Sequence, residues 1–360
     1  MELQNTATEL FLGIDIGSTT AKIVLRNGDK ILLERYERHF SQVREKTAEL
    51  LRLVKEIAGD KAVKAAISGS AGLGLAEAAH IPFVQEVFAT AQVVKLREPD
   101  TSCVIELGGE DAKIIFFKGG IDERMNGSCA GGTGAFIDQM ATLLNITVDE
   151  LDKLSLKAGR LYPIASRCGV FAKTDIQPLL NQGARKEDVA ASIYQAVVNQ
   201  TIAGLAQGRK IDGKVLFLGG PLYYCKGLGQ RFKETLELDD AHAVFPEYAR
   251  FAVALGASYY AEQQPEVFTA DKLLSLVENA ASVSSGKGRL KPLFRNEEEY
   301  NEFKARHAAS SVKNADIEKY SGKAYLGIDC GSTTTKLCLL DENDEILYSY
   351  YASNQGNPVE

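Results

Sequence analysis

Two glycine turns, each entered through an acid, carry the residue types best suited to holding phosphate. Asp15-Ile-Gly-Ser-Thr-Thr-Ala-Lys22 joins an apolar strand to another, Ile23-Val-Leu25. Gly17 permits a tight turn and close backbone approach, the hydroxyls of Ser18, Thr19 and Thr20 supply donors, and Lys22 adds a cation for phosphate oxygens. Asp15, at the strand end, is of the type that holds magnesium or its water shell. By itself this is also the pattern of an ordinary glycine hairpin. Val104-Ile-Glu-Leu-Gly-Gly-Glu-Asp-Ala-Lys-Ile-Ile115 repeats the same grammar, so two hairpins are expected to face each other across one cleft. Glu106 would then oppose Asp15 around the metal while the amides of Gly108 and Gly109 reach a terminal phosphate. A third apolar strand, Val215-Leu-Phe-Leu218, ends in Gly219-Gly220-Pro221, where bare backbone would let an adenosine lie flat.

Cysteine is the other reactive type. Six are present, at 103, 129, 168, 225, 330 and 338, with no CxxC pair. Cys129, in Met125-Asn-Gly-Ser-Cys-Ala-Gly-Gly-Thr-Gly-Ala-Phe-Ile-Asp138, and Cys168, in Ala165-Ser-Arg-Cys-Gly-Val-Phe-Ala-Lys-Thr-Asp175, each begin a lead-in to a helical pattern. A thiolate at a helix N-terminus is favoured by the dipole and free amides, which suits a negatively charged iron-sulfur cluster. Two thiolates half-fill a four-thiolate site, and a two-fold axis through the cluster would supply the rest from a second subunit. Isolated cysteines also read as inert core residues. Cys103 and Cys225, beside apolar strand residues, are expected in the core. Cys330 and Cys338 receive no role.

The elements that must position these groups alternate. Val63 to Ser68, Ser102 to Glu106, Lys113 to Phe117 and Val215 to Leu218 read as strands, and Glu45 to Ala58 and Asp188 to Gly208 have helical spacing, which argues for an α/β fold. At 360 residues two or more subdomains with a cleft between them are expected. Residues 12 to 25, LGIDIGSTTAKIVL, return at 326 to 339 as LGIDCGSTTTKLCL, identical at ten of fourteen positions. Each copy reads as strand, glycine turn, strand, polar turn and third strand, and the second is expected to be the start of another unit in a longer tandem protein. The expected organisation is an ATPase unit over 1–264, a charged, partly helical linker over 265–323, and the truncated start of a second unit, a β-meander, over 324–360.

Composition narrows the class. Apolar residues are 45% and charged residues 25%, no apolar run approaches the ~20 residues of a membrane span, and no secretory signal opens the chain, so a cytoplasmic protein with no membrane association is expected. The net charge of -7, without a basic stripe, argues against nucleic acid as a partner.

The three glycine segments resemble the phosphate-1, phosphate-2 and adenosine motifs of the superfamily containing actin, sugar kinases and heat-shock chaperone ATPases. Phe251-Ala-Val-Ala-Leu-Gly-Ala-Ser-Tyr259 is similar to its second connecting helix, with Gly256 allowing close crossing. The resemblance implies two ribonuclease H-like (actin-like ATPase) subdomains around a nucleotide cleft. Asn126-Gly-Ser-Cys-Ala-Gly-Gly-Thr-Gly-Ala-Phe, Cys168-Gly-Val-Phe-Ala and Leu218-Gly-Gly220 further resemble the activators of 2-hydroxyacyl-CoA dehydratases and the ATPase subunits of benzoyl-CoA reductases, over about residues 10 to 262. That family implies ATP or ADP with Mg2+, and a 4Fe-4S cluster bridged between two subunits by Cys129 and Cys168. It also implies an ATP-driven one-electron transfer to a partner iron-sulfur dehydratase or reductase component. The nucleotide contacts so implied are Asp15, Gly17, Ser18, Thr19, Thr20, Lys22, Gly108, Gly109, Glu110, Gly219 and Gly220, with Asp15 and Glu106 catalytic. The family's usual phosphate-2 segment has aspartate and glutamine where this chain has Glu106 and Glu110, Gly131-Gly132 replaces a commoner Ala-Gly pair, and Lys173 stands where small activators often carry an acid. The repeat at Leu326 resembles a larger tandem branch, in which a pseudo-dimer of two units replaces the homodimer. A sugar or small-molecule kinase of the same fold, and a cluster-free nucleotide-gated regulatory module, are the competing readings.

Overall fold

The computed structural model describes residues 9–126, 131–165, 169–280, 291–331 and 334–353. The chain divides into two compact units, Met1–Val283 and Ser284–Glu360.

The first unit draws one path twice. β1 (Leu10–Ile16), β2 (Thr20–Asn27) and β3 (Lys30–Arg38) form an antiparallel meander; after α1 (Val43–Ala58), β4 (Val63–Ser68) returns parallel to β1, giving the order β3-β2-β1-β4. α2 (Leu73–Ala79) and α3 (Glu86–Arg97) lead to a second meander, β5 (Thr101–Leu107), β6 (Ala112–Phe116) and β7 (Asp122–Met125). Four helices follow, α4 (Gly134–Leu143), α5 (Val148–Ser155), α6 (Gly169–Asn181) and α7 (Lys186–Thr201), before β8 (Lys214–Leu218) pairs parallel to β5. α8 (Gly220–Tyr224), α9 (Lys226–Thr235) and β9 (Ala243–Val244) complete the second sheet, β7-β6-β5-β8-β9, and its cover, and α10 (Ala252–Glu262) returns to pack on the first. The strands read at 63–68, 102–106, 113–117 and 215–218 are present to within a residue at either end, and the one read at Ile23–Leu25 extends over Thr20–Asn27.

Burial on both sheet faces explains why the central strands β1, β5 and β8 are largely apolar, while the edge strands β3 and β7 are not. β1 is buried at every residue. Leu10, Leu12, Ile14 and Ile16 join Leu50, Leu51 and Val54 of α1 in one core. On the opposite face α10 lies directly on the sheet: a side chain at Gly13 would put its first carbon 1.8 Å from the Ala254 carbonyl oxygen. α10 also crosses α3 at backbone distance, since a carbon added to Gly256 would fall 1.9 Å from the Ala89 carbonyl oxygen. The close crossing anticipated at Gly256 is therefore made, with α3 as its partner.

Helical spacing carries α7 on to Gly208, but its α-helical hydrogen bonding ends at Thr201 and a π turn occupies Ile202–Ala206. Gln207 and Gly208 then take positive φ of 47° and 81° and stop the helix, while the Arg124 guanidinium donates to the Ala206 carbonyl at 2.6 Å. α11 (Ala270–Glu278), within the stretch 265–323, buries Ala270, Leu273 and Val277 in the α1 core. Among the described residues no helix is long and apolar enough to cross a membrane.

The second unit contains α12 (Glu297–Ala308), with no buried residue, and the antiparallel meander β10 (Tyr325–Cys330), β11 (Thr334–Leu340) and β12 (Ile346–Ser353). β10 is exposed along its whole length.

Candidate functional site

Asp15, next to last in β1, stands in register with Lys22 on β2, and the lysine ammonium meets the Asp15 carboxylate at 2.7 Å. Between them the Gly17 N–H donates to the Thr20 carbonyl at 3.0 Å, closing the turn. Burial opposes the Lys22 charge, but Asp15, Tyr36 and Glu106 outweigh it and raise the lysine pKa. His39, at the end of β3, braces the turn: with the Ser41 N–H donating to Nδ1, its Nε2–H donates to the Gly17 carbonyl at 2.9 Å.

The second turn is built the same way. The Gly108 N–H donates to the Asp111 carbonyl at 2.8 Å, and Glu106 stands in register with Lys113. Here the lysine pairs with Asp111 at 2.7 Å and with Glu86, the first residue of α3. Glu106 is buried, which pushes its carboxyl up to about 7 although Lys113 pulls the other way. Burial likewise opposes the Lys113 charge, and Glu106, Glu86 and Asp111 overcome it, raising the lysine pKa. Burial also raises the pKa of Glu86.

These turns meet. A carbon added to Gly109 would lie 2.3 Å from Thr19 Oγ1, so the missing side chain lets the first turn touch the second. Around that contact Tyr36 packs edge-on against Tyr224 with centroids 5.9 Å apart, and Arg38 of β3 pairs with Asp138 of α4 at 2.9 Å. The half-open cavity there, about 440 Å³, is lined from both subdomains by Thr19, Thr20, Tyr36, Arg38, Gly109, Gly134, Asp138, Asp152, Gly220 and Tyr224, among others.

The sequence-derived residues thus separate. Thr19, Thr20, Gly109 and Gly220 line the cavity; Asp15, Lys22 and Glu106 do not line it and instead form a charged group at the strand ends, close enough to act on one another electrostatically. Gly17 and Gly108 shape the turns, Ser18 is half-buried and Glu110 exposed. Gly219, with φ of 94°, is bare because the Leu107 carbonyl oxygen lies 2.0 Å from where its side chain would start. Its glycine thus serves a strand-to-strand approach, and Gly220 is the one of the pair facing the cavity.

Lys113, Glu86, His39 and the pair Arg38–Asp138 were not anticipated. The signal for Lys113 was present: it follows Glu106 at the spacing that separates Lys22 from Asp15. Glu86 and Asp138 come from helices whose docking no local pattern specifies.

Cys129 and Cys168 lie outside the described residues. Their described neighbours are informative: the N–H groups of Gly134 and Ala135, opening α4, donate to the Gly108 and Gly109 carbonyls at 3.0 and 2.7 Å. Gly169, opening α6, packs on α4, a carbon added there falling 2.2 Å from Gln139 Oε1. Cys103 and Cys225 are buried as expected, and burial pushes their thiols up to about 12 and about 11, away from thiolate chemistry. Among the described residues no three His, Cys, Asp or Glu side chains converge to hold a metal ion. Magnesium takes one or two carboxylates and completes its shell with phosphates and water, so Asp15 and Glu106 fit that ion.

The profile of the BadF/BadG/BcrA/BcrD ATPase family matches residues 12–261. The (R)-2-hydroxyglutaryl-CoA dehydratase activating ATPase of Acidaminococcus fermentans is 31% identical over 258 residues, spanning 69% of this chain and 96% of that protein. The 2-hydroxyisocaproyl-CoA dehydratase activator of Clostridioides difficile is 27% identical over 267 residues, spanning 71% and 98%. A solved structure of the activator of the 2-hydroxyisocaproyl-CoA dehydratase from Clostridium difficile, with bound ADPNP, has a TM-score of 0.59 and 25% identity and covers 77% of this chain and 100% of that one. The doubled α/β architecture is the actin-like ATPase fold.

Proposed function

Because this chain belongs to the BadF/BadG/BcrA/BcrD ATPase family, we propose that it hydrolyses ATP in the cavity between its two sheets and uses the reaction to pass one electron to a partner iron-sulfur dehydratase or reductase component. The observation that carries this reading is the pair of hydrogen bonds from the first turn of α4 to Gly108 and Gly109. They tie the second phosphate turn to the first turn of α4, the helix that Cys129 precedes in sequence, so that a movement at the γ-phosphate would be passed to that helix.

In this mechanism Lys22 and the turn amides hold the phosphates, and Asp15 and Glu106 hold the magnesium shell. Magnesium neutralises charge on the phosphates. Glu106, with a carboxyl near neutral pH, also suits accepting the proton of the attacking water as the β–γ bond breaks. A 4Fe-4S cluster on Cys129 and Cys168 of two copies, or of one copy and a second unit in a pseudo-dimer, would supply the one-electron reductant. The packing of Gly169 on α4 supports bringing the two cysteine segments together. Val170 and Phe171, about two-thirds exposed at 66% and 65%, support a contact surface beside Cys168. The functional ATPase unit is taken as 1–264, with 265–323 as linker and 324–360 as the start of a second unit.

Protein purified without oxygen should hydrolyse ATP and contain iron and acid-labile sulfide. Cys129→Ala and Cys168→Ala should each lose the iron and keep ATP binding. Iron-free wild-type protein, or full iron in Cys129→Ala, overturns the electron-transfer reading; absence of ATP turnover overturns the ATPase reading.

A further inference from the structure

Three hairpins in this chain set an acid and a lysine opposite each other: Asp15 with Lys22, Asp329 with Lys336, and Glu106 with Lys113. The first two pairs are closed, each at 2.7 Å. Closure does not depend on burial, because the Asp15 side chain is 4% exposed and that of Asp329 65%. Reach is not what keeps the third open, since glutamate is a methylene longer than aspartate. Lys113 instead gives its ion pairs to Asp111 and Glu86. An ammonium has three donors, so the bond to Asp111, in the turn of the same hairpin, leaves it able to reach Glu106 as well. The bond to Glu86 comes from a different element and draws it off the strand pair. α3 then fills the vacated position with a weaker donor: Thr90, one helical turn beyond Glu86 on the same face, places its hydroxyl 3.4 Å from Glu106 Oε2. The helix is fixed in place by the Ala89–Gly256 crossing between Glu86 and Thr90.

We infer that Glu86 is a positioning residue for ATP hydrolysis: by taking an ion pair with the Lys113 ammonium, it keeps that ammonium from closing on Glu106 and leaves the carboxylate without a direct ion pair beside the cleft. The inference rests on the ATPase reading above. A closed Lys113–Glu106 pair would take a Glu106 oxygen that the attacking water needs as its proton acceptor. The first hairpin carries no such device, and its acid is bound to its lysine.

The test is Glu86→Gln, which keeps the shape and removes the charge that holds Lys113. The kcat for ATP hydrolysis should fall tenfold or more, in the range usual for partners that orient ligating groups. The KM for ATP and the affinity for a fluorescent ADP analogue should stay within about threefold, because the phosphate-holding turns are untouched. In Glu86→Gln/Lys113→Gln no ammonium remains to close on Glu106, and a substantial part of the lost rate should return. A residue of merely structural importance would give a double variant no faster than the single one. Should Glu86→Gln not fold, Glu86→Asp, whose carboxylate is a methylene shorter, carries the same comparison against Glu86→Asp/Lys113→Gln. A Glu86→Gln protein with wild-type kcat, or a double variant as slow as the single, overturns the inference while wild-type turnover leaves the ATPase reading standing. Wild-type protein without turnover removes both.

Discussion

Glu106→Gln should strengthen the fold while abolishing the activity, and the size of the first effect follows from burial. The folded protein holds the Glu106 carboxyl at about 7 against an ordinary value of 4.5, with burial as the largest cause. Between those two pH values the folded chain keeps a proton that the unfolded chain has released, so stability is fullest below 4.5 and declines as pH rises to about 7. The interval corresponds to about 3 kcal/mol, and the pull of Lys113 is already contained in it. Glutamine cannot ionise, so the variant should match the wild type near pH 4.5 and exceed it by about 3 kcal/mol at pH 8. With a urea m-value of about 3 kcal/mol/M for a unit of this size, the midpoint should move up by about 1 M. The assay is urea unfolding of nucleotide-free protein in EDTA across that pH range, beside ATPase rates of the same preparations. A Glu106→Gln protein no more stable than wild type at pH 8 would refute the reasoning, because it would mean that the ionised carboxylate is already well solvated or fully paired in the fold.

Gly256→Ala should destabilise by about 3 kcal/mol, since the added carbon meets backbone of α3 that cannot rotate away, and should lower the Tm by roughly 6–10 °C; an unchanged Tm in calorimetry would show that the α3–α10 crossing yields. Arg38→Gln removes a cross-cleft pair whose side chains are 57% and 45% exposed, a pair worth about 0.2–1 kcal/mol, so ADP release in stopped-flow should quicken by roughly 1.5- to 5-fold. Release at the wild-type rate would remove the pair from the closure of the cleft.

Local pattern sufficed for much of the fold. Apolar runs beside glycine turns marked the central strands of both sheets, because a strand buried on two faces cannot alternate and a tight turn needs glycine, whereas the polar edge strand β7 and the short β9 were not read. The same logic failed where an element's role depends on something distant in sequence. Helical spacing ran α7 through to Gly208 because periodicity does not register the π turn at Ile202–Ala206, whose carbonyls are taken by Arg124. Gly219 and Gly220 looked alike as bare backbone for a ligand, yet Gly219 is pressed on Leu107 and Gly220 on the cavity side meets Tyr36. Lys113 could have been found by spacing; Glu86 could not, since its proximity to Lys113 depends on where α3 docks.

The repeated hairpin separates the two contributions within one chain. In LGIDIGSTTAKIVL and LGIDCGSTTTKLCL the glycine N–H donates to the threonine carbonyl at 3.0 and 2.9 Å, and the aspartate and lysine pair at 2.7 Å in both. Turn, register and ion pair are short-range consequences of fourteen residues, and they form alike where the strand is buried and where it is exposed. Burial is not local. β1 is covered at every residue and β10 at none, because α1 and α10 are packed on the first sheet. Sequence by itself therefore determined the repeated glycine turn and the aspartate–lysine pair of each copy. The tertiary structure alone decided that Glu106 lies out of water near pH 7 and that Glu86, from another element, takes its lysine, because desolvation and competition for a charge arise from groups brought together only by folding.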